Sequence, residues 1–148
     1  MLFRSENFVG RQYPPSQPYV VGREKIREFA RAIHNEDPIH TDVAAARARG
    51  FADLVAPATY AVRLSMKASE AVVSDPELGL DYSRVVHGDQ SFEYTLPIVA
   101  GDELTCQVTI DQVRSVAGND MLTLRADISK TSGDHVVTAY SVLVARGA

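Results

Sequence analysis

Cysteine is almost missing from this sequence: Cys106 is the single copy. One thiol forms no internal disulfide and builds no zinc site by itself, which excludes two common ways of stabilising or activating a small chain. A basic surplus is missing as well. Fifteen Lys and Arg stand against 19 Asp and Glu, for a net charge of −4. Phosphate backbones demand the opposite balance, so no nucleic-acid partner is expected. No apolar run approaches the roughly 20 residues of a membrane-spanning helix. Met1-Leu2-Phe3-Arg4 offers neither a basic start before an apolar stretch nor a small-residue cleavage site. The expectation is a cytoplasmic protein with no membrane partner. Internal repeats, low-complexity tracts and linkers are absent too. What is there is 148 residues, 45% of them apolar: enough for one domain over residues 1–148, held by packing, and too few for two.

Pro14, Pro15 and Pro18 punctuate residues 10–18, so residues 1–18 read as an irregular lead-in before a short strand at Tyr19-Val20-Val21. After Gly22, the residues Ile26, Phe29, Ala30 and Ile33 recur at amphipathic-helix spacing, with Arg23, Glu24, Arg27, Glu28 and Arg31 opposite. Pro38 limits that helix, because it lacks an amide donor and pushes Asp37 out of helical geometry. Thr41 or Asp42 is placed to cap a second short helix running to Arg49 and ended by Gly50. A third helix is expected over 57–73, with Pro57 at its first position. Its many small residues suggest a central helix that a sheet approaches closely.

From Ser83 onward the period becomes two: Phe92 and Tyr94, then Leu104 to Ile110, then Leu122 to Ile128, then Val137 and Ala139, with Val142 or Val144 following after a bulge. Gly101-Asp102, Gly118-Asn119 and Ser132-Gly133-Asp134 separate these runs, and such short spacings require antiparallel neighbours. Helices first and strands later predict an α+β domain whose antiparallel sheet curls round the 57–73 helix.

The segment His34-Asn35-Glu36-Asp37-Pro38-Ile39-His40, followed by an Ala-rich helix and Val55-Ala56-Pro57-Ala58-Thr59, resembles the hydratase motif of MaoC-like proteins. Arg84-Val85-Val86-His87-Gly88-Asp89-Gln90 with Phe92 and Tyr94, and Pro97 with Ala100-Gly101-Asp102 and Leu104, resemble the amino-terminal MaoC-like dehydratase group. The resemblance spans nearly the whole chain and implies a hot-dog fold. It further implies reversible dehydration of (3R)-hydroxyacyl thioesters to trans-2-enoyl thioesters, carried by coenzyme A or an acyl carrier protein, with no metal and no organic cofactor. It also implies a homodimer, or a heterodimer with another hot-dog chain, since a lone unit leaves a sheet edge open.

That chemistry needs a group to take a proton from water, a proton for C2, and a donor for the charge collecting on the thioester oxygen. Position by position, the resemblance assigns Asn35 and His40 to the water, and the backbone amide of Ala58, with Thr59 as a second candidate, to the oxygen. Pro57 stands where the family carries His and has no amide proton, which makes Ala58 the first donor at the positive helix end. Asn35 stands where the family carries Asp. A carboxamide holds water but takes no proton from it, so catalysis is expected to be weakened. Asp37 is read as a brace of the turn and Glu36 as solvated. Tyr60, Val62 and Met66 are candidates to line an acyl tunnel.

Blander roles are set beside these. His34 suits the negative end of its helix. A metal site of His34, Asp37 and His40 is disfavoured, because the proline turn gives them no common face. His87 and Asp89 flank a glycine that suggests a bulge, and Cys106 alternates with Leu104 and Val108 as a packed thiol. Two other functions remain open: an acyl-chain-holding subunit without independent activity, which the missing Asp favours, and an acyl-CoA thioesterase on the same fold.

Overall fold

Alternating apolar residues become the inner face of one antiparallel sheet. In the computed structural model, which describes residues 8–147, the strands are β1 (Tyr19–Val20), β2 (Val85–Tyr94), β3 (Glu103–Val116), β4 (Asn119–Lys130) and β5 (His135–Ala145). Their order across the sheet is β1-β3-β4-β5-β2. Leu104, Cys106, Val108 and Ile110 of β3, and Leu122, Leu124, Ala126 and Ile128 of β4, are each 2% exposed or less, as the period-two pattern predicts. Burial pushes the Cys106 thiol up to about 12, so it stays protonated and unreactive.

The turn between β3 and β4 is Ala117-Gly118, both at positive φ (52° and 80°), and Asn119 already belongs to β4. Two central residues at positive φ make the two-residue hairpin whose twist matches that of the strands, placed one residue earlier than the expected Gly118-Asn119 pair. The bulges also fall elsewhere than after Ala139. In β5 the extra residue is Val136, which precedes Val137, and β2 shifts register between His87 and Asp89, at Gly88.

The described residues include three α-helices: α1 (Arg23–Ala32), α2 (Val43–Ala48) and α3 (Val62–Val73). Ile26 and Ala30 bury one face of α1, while Ile33 lies past its end and is 43% exposed, outside the expected stripe. Asp42 caps α2 by accepting from the Ala44 amide at 2.9 Å and from Ala45. The central helix begins one residue later than expected. Pro57 is extended (ψ 151°) and precedes the helix; Ala58–Ala61 form a 3₁₀ turn that runs straight into α3. Leu64, Ser65 and Val72 of α3 are buried, whereas Met66, Lys67 and Glu70 are exposed, so this helix is covered on one face only.

The lead-in is irregular yet tied down. Gly10, Tyr13 and Ser16 donate backbone bonds to Ile110, Val108 and Cys106 of β3, extending the edge that β1 begins. β2 forms the other edge and exposes Val86 and Tyr94. A sheet curled against α3 in this order is the expected α+β hot-dog arrangement.

Candidate functional site

The end of α1 and the proline turn after it are fixed by short-range bonds. His34 takes a left-handed conformation (φ 57°), which turns the chain back so that the Asn35 amide reaches the Ala30 carbonyl at 2.9 Å. The Asn35 carboxamide oxygen accepts from the Asp37 amide at 3.1 Å. Asp37 in turn accepts from the Ile39 amide at 3.2 Å and from the Arg49 guanidinium at 2.9 Å. Those two donors hold the Asp37 carboxyl below the usual range, the Ile39 amide contributing most. Asp37 therefore braces the turn, and Asn35 braces it as well. His34 is exposed at the helix end.

Pro38–His40 make one 3₁₀ turn that drives Ile39 and His40 inward, His40 to 6% exposure. The His40 Nδ1 lies 2.6 Å from the Val55 carbonyl oxygen. A carbonyl only accepts, so Nδ1 carries the proton, and in the neutral ring Nε2 is left with its lone pair free to accept one. The Val55 amide returns a bond to the Ile39 carbonyl at 3.0 Å, so the turn and residues 54–56 are held to one another. Ile39, Ala46 and Val55 form a small separate core beneath this junction, with Phe51 and Val99 against it.

Two residues beyond Ala56 the chain starts the central helix. Ala58 and Thr59 are exposed, and among the described residues neither amide has an acceptor; the first bond of the turn comes from the Tyr60 amide to Pro57 at 2.9 Å. These are two open donors at the positive end of a helix. The Asp53 carboxylate, clamped by Arg23 at 2.7 Å and 3.0 Å and bonded to the Leu54 amide, anchors the approach to them and is held down at about 2.

The tunnel candidates separate. Tyr60 is fully buried, edge-on to Phe29, with its hydroxyl 2.7 Å from that of Tyr19 and near Arg63. Burial and the Tyr19 hydrogen bond raise its pKa. Val62 is half-buried, and Tyr60 and Val62 line neither of two cavities that flank α3. Met66 is 59% exposed and lines the cavity on the β2 and β5 side, a space of about 540 Å³ walled also by Val73, Gln90 and Leu143. Asn35, His40 and Ala58 line neither cavity. His87 faces the same 540 Å³ space, with Gly88 bulged between it and Asp89. Among the described residues no three His, Cys, Asp or Glu side chains cluster as a metal site. Sequence reasoning passed over Tyr94, which donates its hydroxyl to the Ala58 carbonyl. Its only trace in the sequence was its place beside Phe92 in a familiar strand pattern.

Sheet, helix and proline turn together define a hot-dog protein of the MaoC-like dehydratase class. More particularly, residues 7–139 match the family described as "FAS1-like, dehydratase domain region", and the chain belongs to it. It is 57% identical over 142 residues to a UPF0336 protein of Saccharopolyspora erythraea, covering 96% of this chain and 91% of that one. A solved structure described as a MaoC-like dehydratase superposes with a TM-score of 0.89 at 36% identity, over 97% of this chain; this chain spans 43% of that one. The truncated HadBC complex of Mycobacterium tuberculosis, described as a (3R)-hydroxyacyl-ACP dehydratase, is similar at 31% identity and a TM-score of 0.83, over 93% of this chain and 96% of that one.

Proposed function

We propose that this chain interconverts (3R)-hydroxyacyl and trans-2-enoyl thioesters, on coenzyme A or an acyl carrier protein, by removing and adding water across C2–C3. His40 is the proton-transferring group in this reading. The observation that carries it is the bond from Nδ1 to the Val55 carbonyl, which fixes the ring and, in the neutral imidazole, puts the free lone pair on Nε2. In hydration, Nε2 takes the proton of the attacking water as its oxygen bonds to C3, and the open Ala58 and Thr59 amides hold the negative charge that develops on the thioester oxygen. The imidazolium then returns that proton to C2 as the carbonyl re-forms, which leaves His40 neutral again. Asn35, whose oxygen is occupied by the Asp37 amide, keeps an NH₂ group that orients the water. The acyl chain passes along the 540 Å³ cavity by Met66. The protein works as one domain in the cytoplasm, as a dimer.

A second reading has its own support. Asn35 supplies no carboxylate, the β2 edge has no strand beside it among the described residues, and a similar solved structure is a complex, HadBC. In that reading the chain holds the acyl group, and a second hot-dog chain completes the acid-base set. Hydration of crotonyl-CoA, followed by loss of the enoyl-thioester absorbance, separates the two. Turnover by the pure chain that is lost in His40→Ala supports the first. Turnover only after adding a second hot-dog chain, unchanged by His40→Ala, overturns it in favour of the other.

A further inference from the structure

The Ala58 carbonyl and the Thr59 N–H belong to one planar peptide unit, in which a bond to the oxygen makes the N–H a stronger donor. Tyr94, the last residue of β2, supplies such a bond from 36 residues away in sequence. Direction is settled by chemistry, since the carbonyl only accepts and the phenol donates. The residue as a whole is 38% exposed, and its hydroxyl is committed to the Ala58 carbonyl. Burial pushes its pKa up to about 12, so the donor proton is kept throughout the neutral range. The ring is held by tilted contact with Phe92, centroids 6.5 Å apart, and its backbone by pairing with Val137. On the other side of the same peptide, Thr59 is an exposed residue whose amide has no acceptor among the described residues.

We propose that Tyr94 is a positioning residue for the thioester oxygen: its hydroxyl fixes the plane of the Ala58–Thr59 peptide and strengthens the Thr59 amide as a donor, without touching substrate. This rests on the reading that the helix-start amides hold that oxygen. It gives strand β2 a direct hold on the reaction centre, through one hydrogen bond that no residue of the proline turn contributes.

The test uses a chromophoric enoyl thioester, 4-(dimethylamino)cinnamoyl-CoA, whose absorption moves to longer wavelength as its carbonyl is polarised. Binding to the wild-type chain is expected to give a red shift. Tyr94→Phe should cut that shift by about half while affinity changes less than about threefold, because the lost interaction concentrates on developed charge. With crotonyl-CoA, kcat should fall about tenfold at nearly constant KM, a split that a purely structural loss would not give. Incorporating 3-fluorotyrosine at position 94 keeps the ring and the fold while making the phenol a stronger donor, and should enlarge the shift. A red shift of full wild-type size in Tyr94→Phe, or one unmoved by fluorotyrosine where Tyr94→Phe does not fold, overturns the role of Tyr94 alone. A wild-type chain that gives no red shift overturns the amide site and the role of Tyr94 together.

Discussion

The proline turn at residues 35–40 and the helix start at 57–61 are joined through Val55, yet they treat their polar groups in opposite ways. In the turn, the Asn35, Asp37 and His40 side chains all bond to backbone, and Asp37 is further pinned by Arg49. At the helix start, the amides of two consecutive exposed residues, Ala58 and Thr59, have no acceptor among the described residues. Saturated bonding holds a geometry, while open donors are what a substrate oxygen can use. His40 belongs to both regimes: Nδ1 is consumed in holding the turn to Val55, and Nε2 has no hydrogen-bond partner among the described residues.

Breaking the saturated side should cost most. His40→Ala removes the proposed proton acceptor and should lower the hydration rate about 100- to 10,000-fold. It also strands the Val55 carbonyl, at about 1–3 kcal/mol of stability measured by denaturant unfolding. Equal rates for His40→Ala and wild type would remove His40 from the mechanism. On the open side, Ala58→Pro deletes one of the two donors with little expected strain. Proline suits the first helical position, and Pro57 already has the extended conformation (ψ 151°) required before a proline. A loss of about 100- to 1,000-fold in kcat with unchanged thermal stability would assign the oxygen to the Ala58 amide. A small loss would leave Thr59 as the principal donor.

Asn35→Asp sharpens the comparison from the other direction. One carboxylate oxygen can keep the bond to the Asp37 amide while the second becomes available to accept a proton. The hydration rate of the pure chain should rise at least about tenfold; a flat response would favour completion of the site by another chain. The smallest effect is expected from acid. The Asp37 and Asp53 carboxyls are both held below their unfolded value of about 3.9, so whatever each contributes to stability is present above that pH and lost as pH falls through its folded value. For Asp53 that loss is centred at about 2. Carboxyl chemical shifts followed by NMR from pH 5 to 1.5 should place Asp53 there, and a midpoint near 4 would mean that the Arg23 clamp does not form.

Local patterns reached far into this fold. Pro38 announced the turn, Thr41-Asp42 the cap of α2, which Asp42 supplies, and the alternation of Leu104 to Ile110 and Leu122 to Ile128 the buried face of the sheet. Each of these signals is written within a few residues of where it acts. The turn residues Ala117-Gly118 were harder to read, because alanine at positive φ is tolerated only where the hairpin twist demands it. Tyr60 resembled a tunnel residue by its position on the helix. Its actual surroundings, Phe29, Tyr19 and Arg63, come from α1, β1 and the next helical turn. Asn35 and Asp37 were assigned different tasks by motif position, whereas both accept backbone amides within the same turn.

The sequence by itself determined the period of each element, the break at Pro38 and the family to which the motif belongs, because short-range sterics and hydrophobic spacing act along the chain. Only the tertiary structure decided which nitrogen of His40 is free, which amides stay open, and that a tyrosine at the end of β2 grips the peptide at the start of the central helix. Those outcomes depend on groups separated by 15 to 36 residues meeting within hydrogen-bond distance. Packing alone brings such partners together.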